Sequence, residues 1–284
     1  MADPKPSKGK SASSKPDFAT IGGLILAFGG IAGGLIMEGG KIQDVAQVTS
    51  ALIVLGGTLG AVMITTPLPV LLRAAKKFGT VFFGREESPA AAIEEIIAYA
   101  TQARKEGIVS LESQAAAIKD PFLKKALGLA VDGIDSAKIR DIMELEIQLF
   151  EESVEAEAKV FEAAGGYSPT IGIIGAVLGL IQVMKNLANI DEVGRGIAVA
   201  FVATIYGVAS ANLIFLPAAN KLKARGREAI QIRELVLEGV LSIAEGVNQK
   251  LIRTKLDAYL GHAAPGKAAK RKGQPSGEPV SAEG

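Results

Sequence analysis

The sequence predicts an all-α integral membrane protein with four transmembrane helices and a helical cytoplasmic domain. Three observations support this. First, four long apolar stretches, Phe18–Met37, Val45–Thr66, Pro169–Met184 and Gly196–Leu216, contain no Asp, Glu, Lys or His. Each is long enough, or nearly so, to cross a hydrocarbon core of roughly 30 Å at about 1.5 Å per residue. Second, charge and hydrophobicity are segregated. Of 284 residues 49% are hydrophobic and 21% charged, mean hydropathy is +0.31, and the charges fall outside the four stretches. Third, the basic residues flank the stretches on one side. Lys5, Lys8, Lys10 and Lys15 precede the first, Arg73, Lys76 and Lys77 follow the second, and Lys221, Lys223, Arg225 and Arg227 follow the fourth. The two short connectors on the other side hold Lys41 and Arg195 as their only core basic residues. The positive-inside rule then puts both termini and the long 72–166 segment in the cytoplasm.

Taken in order, residues 1–16 form a Lys/Ser/Pro-rich tail, expected to be disordered and not a cleavable signal peptide. Residues 17–68 hold the first two spans. Residues 69–166 form a cytoplasmic helical loop domain. Residues 167–217 hold the third and fourth spans, 218–260 a cytoplasmic C-terminal helix, and 261–284 a Gly/Pro/Lys-rich tail expected to be disordered. The spans are rich in small residues four apart: Gly29/Gly33, Gly30/Gly34, Gly56/Gly60 and Gly175/Gly179. Such spacing lets helix backbones approach closely, and its density over three spans suggests packing between subunits as well as within one.

In the loop domain, Ile93, Ile96, Ile97 and Ala100 form one helical stripe, opened by Ser88-Pro89 and closed by Gly107. Further helices are expected at Leu111–Ile118, Pro121–Val131 and Ser136–Ala164. The last carries Glu144, Glu146, Glu151, Glu152, Glu155, Glu157 and Glu162 and reads as a solvated acidic face. After the fourth span, Ala218–Tyr259 reads as one amphipathic helix.

The chain has no Cys and a single histidine, His262, which excludes disulfides, thiolate metal sites and two-His metal motifs. No phosphate-binding loop or dinucleotide fingerprint is present, and the basic residues do not interleave with aromatics. The expectation is therefore no enzyme, no cofactor, no metal and no nucleic-acid partner. Intramembrane ionisable groups normally mark ion paths. These spans offer only hydroxyls and an amide, among them Thr204, Tyr206 and Asn212. If the chain conducts ions, another chain must supply the carboxylate.

Three separated motifs carry a family resemblance over residues 18–260. Ala200-Phe201-Val202-Ala203-Thr204-Ile205-Tyr206-Gly207, followed by Pro217, resembles the fourth-span signature of the MotA/PomA family. Gly166-Tyr167-Ser168-Pro169-Thr170-Ile171-Gly172 resembles its third-span entry. Arg104-Lys105-Glu106-Gly107-Ile108-Val109-Ser110-Leu111-Glu112 resembles its Arg-x-x-Gly-x-x-Ser-Leu-Glu stretch.

The resemblance implies an A-type subunit of the flagellar motor stator in the bacterial inner membrane. Five copies would surround two copies of a B-type partner that carries an intramembrane Asp and a peptidoglycan-binding domain. It implies an ion path past Thr204, Ala176 and Tyr206, coupling through Pro169 and Pro217, and contact with the rotor switch protein through Arg104 and Glu112, with Lys105 and Glu95 beside them. Where sodium-driven members tend to have Thr in Gly-Thr-Leu-Ile-Gly, this chain has Gly175-Ala176-Val177-Leu178-Gly179. One oxygen fewer favours a proton over sodium. The alternative is a TolQ/ExbB-like energiser of envelope or outer-membrane transport, a group that usually has three spans. A purely structural membrane scaffold is a third reading, which the Thr204 and Pro217 signature disfavours.

Overall fold

The computed structural model describes residues 15–84 and 88–262, so most of both expected tails lies outside the described residues. Four helices are long and apolar enough to cross a membrane, and the fold is all-α as expected. The only extended pairing among the described residues is two residues long, Lys15–Pro16 (β1) antiparallel to Phe83–Gly84 (β2).

Helix α1 (Phe18–Met37) is the first span, capped by Asp17, whose carboxylate accepts the Thr20 N–H at 3.1 Å. A connector with the short α2 (Ile42–Val45) leads to the second span, α3 (Val48–Ala51) and α4 (Gly57–Thr65) joined by a π-helical turn, Leu52–Gly56. The second span thus starts at Val48, because the backbone breaks at Ala46 and Gln47. Thr66 and Pro67 separate it from α5 (Leu68–Phe82).

The layer outside the spans begins with α6 (Pro89–Glu106). It ends at Gly107, whose φ of 84° a side chain would resist. The expected Leu111–Ile118 helix divides in two, a 3₁₀ turn at Ile108–Leu111 and α7 (Glu112–Ala117). Helix α8 (Pro121–Val131) has the expected bounds, with Asp120 capping the Phe122 and Leu123 N–H groups and Pro121 in the first turn.

Two long helices join the layers. Helix α9 (Ser136–Lys185) runs 50 residues, about 75 Å at the helical rise, straight from the layer outside the spans into the third span. The expected break between Ala164 and Pro169 does not exist, so Pro169 lies inside α9 and does not start a helix. A tight turn, capped by Asn189 on the Asp191 and Glu192 N–H groups, leads into α10 (Ile190–Ser210). A π-helical turn, Ala211–Phe215, passes it on to α11 (Leu216–Ala244). The single C-terminal helix expected from Ala218 to Tyr259 is broken at Gly246, φ 69°, and resumes as α12 (Gln249–His262).

One core packs α6, α8, the start of α9, the end of α11 and α12 around Ile93, Ile96, Leu127, Ile139, Met143 and Leu241. A second, nearer the spans, packs α5 on α9 and α11 through Ala74, Val81, Phe161, Ala164, Ala218 and Leu222.

Candidate functional site

The third and fourth spans meet along a seam of small residues. A Cβ on Gly207 would lie 2.7 Å from the Ser168 carbonyl oxygen and 3.2 Å from the Pro169 Cα; one on Gly172 would lie 2.9 Å from the Ala203 carbonyl oxygen. Further along, Gly175 meets Ala203, and Gly179 meets Gly196 and Ala200. The spacing of three to four residues on both helices places Gly172, Gly175 and Gly179 opposite Gly196, Ala200, Ala203 and Gly207. Buried within the seam, the Ser168 and Ser210 hydroxyls lie 2.6 Å apart, and Ser210 Oγ also donates to the Tyr206 carbonyl at 2.7 Å.

Thr204 and Ala176 each sit one residue beyond the Gly175–Ala203 contact, so they flank one level of the seam, and both are half-buried. The Thr204 hydroxyl donates to the Ala200 carbonyl of its own helix at 3.1 Å. Tyr206 does something else. Its hydroxyl donates to the Val45 carbonyl at 2.6 Å and accepts the Gln47 N–H at 3.3 Å, which clasps the broken start of the second span to α10. Ser50 adds a bond to the Val199 carbonyl at 3.2 Å.

Away from the seam, α9 and α10 turn apolar faces outward: Ile173, Ile174, Val177 and Ile181 on one, Ile197, Phe201, Ile205 and Val208 on the other, Phe201 being 70% exposed. No Asp, Glu, Lys or Arg lies on these faces. An unpaired ion would pay a large desolvation cost there.

The two prolines fall at the same end of the seam. Pro169 abuts Gly207, while Leu216, next to Pro217, packs over Gly165. Pro217 cannot donate to the carbonyl four residues back, and its ring would crowd that carbonyl. The π-helical turn at Ala211–Phe215 widens the backbone just before it, with the Leu216 N–H bonding the Ala211 carbonyl five residues back.

Arg104 and Lys105 close the last turn of α6, and Glu112 opens α7 beyond the 3₁₀ turn. All three are exposed, and among the described residues none makes an ion pair. Glu95 is exposed two turns earlier on α6 and accepts the Tyr99 hydroxyl at 2.8 Å. The structure therefore places Arg104, Lys105 and Glu112 at one corner of the layer outside the spans, far along the chain from the Thr204 level.

Among the inter-helix ion pairs that escaped sequence reasoning, four carboxylates stand out. Asp17 pairs with Lys221 at 2.5 Å and Arg225 at 3.0 Å. The hydrogen bond from Lys221 outweighs partial burial and holds the Asp17 carboxyl at about 2. Glu94 and Arg253 form a bidentate pair, both bonds 2.8 Å, that ties α12 to α6 and lowers the Glu94 pKa. Burial raises the Glu238 pKa, but Lys255 and Arg140 together outweigh it and hold the group below its usual value. Glu157, read above as part of a solvated acidic face, is instead 1% exposed, with Lys77 Nζ at 2.6 Å and Arg73 Nε at 3.6 Å. Only the N-cap position of Asp17 before an apolar run was a visible signal, because the partners of all four carboxylates lie on other helices.

The profile of the MotA/TolQ/ExbB proton channel family matches residues 114–235, and that of the motility protein A N-terminal region matches residues 21–107. Motility protein A of Bacillus subtilis is 38% identical over 248 residues, covering 86% of this chain and 91% of the relative. Chemotaxis protein PomA of Vibrio alginolyticus is 34% identical over 244 residues, covering 86% and 95%. Among solved structures, C. jejuni MotAB superposes with a TM-score of 0.83 at 34% identity, over 88% of this chain and 98% of that one. The flagellar MotAB stator complex from Bacillus subtilis gives 0.80 at 37% identity, over 86% and 96%.

Proposed function

The chain belongs to the MotA family of flagellar stator subunits, within the MotA/TolQ/ExbB proton channel family, and from that premise we propose how it works. It is an A-type subunit, not an enzyme, that forms an ion channel with a B-type partner in a membrane and turns ion motive force into torque. In our reading five copies surround two partner helices in the bacterial inner membrane, with both termini cytoplasmic and the partner anchored to peptidoglycan. The partner's intramembrane Asp binds the ion against the outward faces of α9 and α10 at the level of Thr204 and Ala176.

The observation that carries this reading is the pairing of two properties on one surface. The faces flanking Thr204 are exposed and apolar, and the four apolar stretches contain no carboxylate. A surface built this way suits a partner helix that brings its own titratable group.

The ion in this reading is a proton. Sodium needs several oxygens to replace its hydration shell, and Ala176 supplies none, whereas a protonated Asp crosses as a neutral group at far lower cost. Movement passes from the seam through Pro169 and Pro217 into the continuous helices α9 and α11. It reaches the rotor through Arg104 and Glu112, with Lys105 beside them and Glu95 two turns back on α6, where exposed charges orient a transient contact. The test is rotation of tethered cells in sodium-free buffer, followed by a protonophore. Rotation without sodium that stops on adding the protonophore is expected. Rotation that requires sodium and scales with it overturns the ion assignment.

A further inference from the structure

We infer that α5 is a recognition helix for anionic phospholipid headgroups. Only Thr66 and Pro67 separate it from the second span, and the Pro67 carbonyl accepts the Val70 and Leu71 N–H groups, so its first turn is fixed at the membrane boundary. Its inner face, Ala74 and Val81, is buried on α9 and α11. Its outer face is exposed among the described residues. There Leu68 and Leu72 are 59% and 54% exposed, and Arg73, Ala75 and Lys76 follow.

Two features single out lipid as the occupant. The first is continuity. Leu52, Leu55, Leu59 and Met63 recur every three or four residues as exposed apolar side chains along the second span, and Leu68 and Leu72 carry that stripe past the break. A surface that meets acyl chains along the span and ends in leucines belongs at the acyl–headgroup boundary.

The second is charge. Lys76 makes no ion pair among the described residues, and Arg73 reaches Glu157 only through Nε at 3.6 Å, with its side chain 55% exposed. The nearer Lys77 occupies Glu157 from the inner side at 2.6 Å. Two cations one turn above a leucine pair thus stand where lipid phosphates lie, and juxtamembrane cations of this kind are attracted to anionic lipid surfaces. A headgroup held there would brace α5 against α9 through the Lys77–Glu157 pair.

The test uses the complex with its B-type partner, reconstituted in phosphatidylcholine nanodiscs with and without phosphatidylglycerol, and reads the thermal unfolding midpoint. Phosphatidylglycerol is expected to raise the midpoint. Lys76→Gln should cut that rise about twofold or more, and Lys76→Arg should retain it. Free glycerol 3-phosphate added to phosphatidylcholine nanodiscs should give no rise. An equal rise in wild type and Lys76→Gln, or a rise with glycerol 3-phosphate that matches the lipid, overturns the proposal. Loss of subunits from the Lys76→Gln complex in phosphatidylcholine also overturns it, because that result assigns the face to a second copy of this chain.

Discussion

Helices α1 and α10 look alike as sequences and behave differently in the fold. Both are about twenty residues long and rich in small residues. Yet α1 buries nothing, and a Cβ on any of Gly22, Gly23, Gly29, Gly30, Gly33 or Gly34 would meet no atom within 4 Å. In α10, Gly196, Ala200, Ala203 and Gly207 are buried against the glycines of α9. The spacing of small residues therefore permits close approach without saying to what. What distinguishes α10 is a second stripe, Gly172, Gly175 and Gly179, in antiparallel register with its own.

Helix α1 is held at its ends instead. Asp17 ties its foot to Lys221 and Arg225 of α11, the Lys15–Pro16 pairing reaches the end of α5, and Tyr206 clasps the connector that follows it. Within one chain the small residues of the spans thus behave unevenly. Those of the third and fourth spans serve packing within the chain, and those of α1 stay open.

The largest effect should come from filling the seam. Gly207→Leu would drive a side chain into the Ser168 carbonyl and the backbone of Pro169 and Gly172. Backbone cannot yield as a flexible side chain can, so we expect a loss of about 3 kcal/mol or more, with motility abolished. Gly33→Leu meets open space, and we expect stability within about 0.5 kcal/mol of wild type. Thermal unfolding in detergent, alongside swimming assays, checks both. A seam substitution tolerated as well as the α1 one would end the contrast. An α1 substitution that spares the detergent-solubilised chain but stops swimming would sharpen it, by showing that another chain covers α1 in the assembly.

A middling effect should follow from cutting the foot of α1. Asp17→Asn keeps the helix cap but removes the charge that pairs with Lys221 and Arg225, at a cost of about 2 kcal/mol. Because the folded-state pKa of Asp17 is depressed to about 2 from 3.8, the wild-type contribution is fully present above about pH 4. It is lost as pH falls through 2. Amide exchange over residues 18–24, normalised to intrinsic rates, should be faster in Asp17→Asn at pH 7, and the wild type should approach that value only in strong acid. Equal exchange in the two proteins at pH 7 would show that the tether does not hold α1.

How far the fold could be read ahead follows the same division between local and distant partners. The limits of α6 and α8 were legible because caps and stop residues sit next to the helices they bound: Ser88-Pro89 and Gly107, Asp120 and Pro121. The continuity of α9 was not. A proline after an acidic helix reads locally as a new start, and only the packing of Ser168 and Gly172 against α10 shows the helix running through. The break at Gly246 was hidden for the opposite reason, since apolar residues continue on both sides of it and only the return of α12 onto α6, with Ile252 and Leu256 buried, requires the turn. Glu157 looked like its exposed neighbours because Lys77 lies on a helix 80 positions away. The residues flanking the seam were legible as a motif, but what each hydroxyl bonds to was not.

Tyr206 gives the smallest predicted effect and the most direct choice between two roles. As part of an ion path, its hydroxyl would have to be free to face the ion. In the fold both its donor and one acceptor position are taken by backbone, at Val45 and Gln47. Tyr206→Phe removes one oxygen and leaves the ring in place, so packing is unchanged and the cost is that of freeing the Val45 carbonyl and the Gln47 N–H, about 1 kcal/mol if water reaches them. The loss should be local. Residues 42–48 should exchange amide protons faster and be nicked sooner by protease, while motor speed at a fixed proton motive force stays at the wild-type value. A fall in speed with the connector still protected would return Tyr206 to the ion path. A loosened connector with normal speed makes it the clasp that holds the second span to the fourth at the end where α1 has no packing of its own.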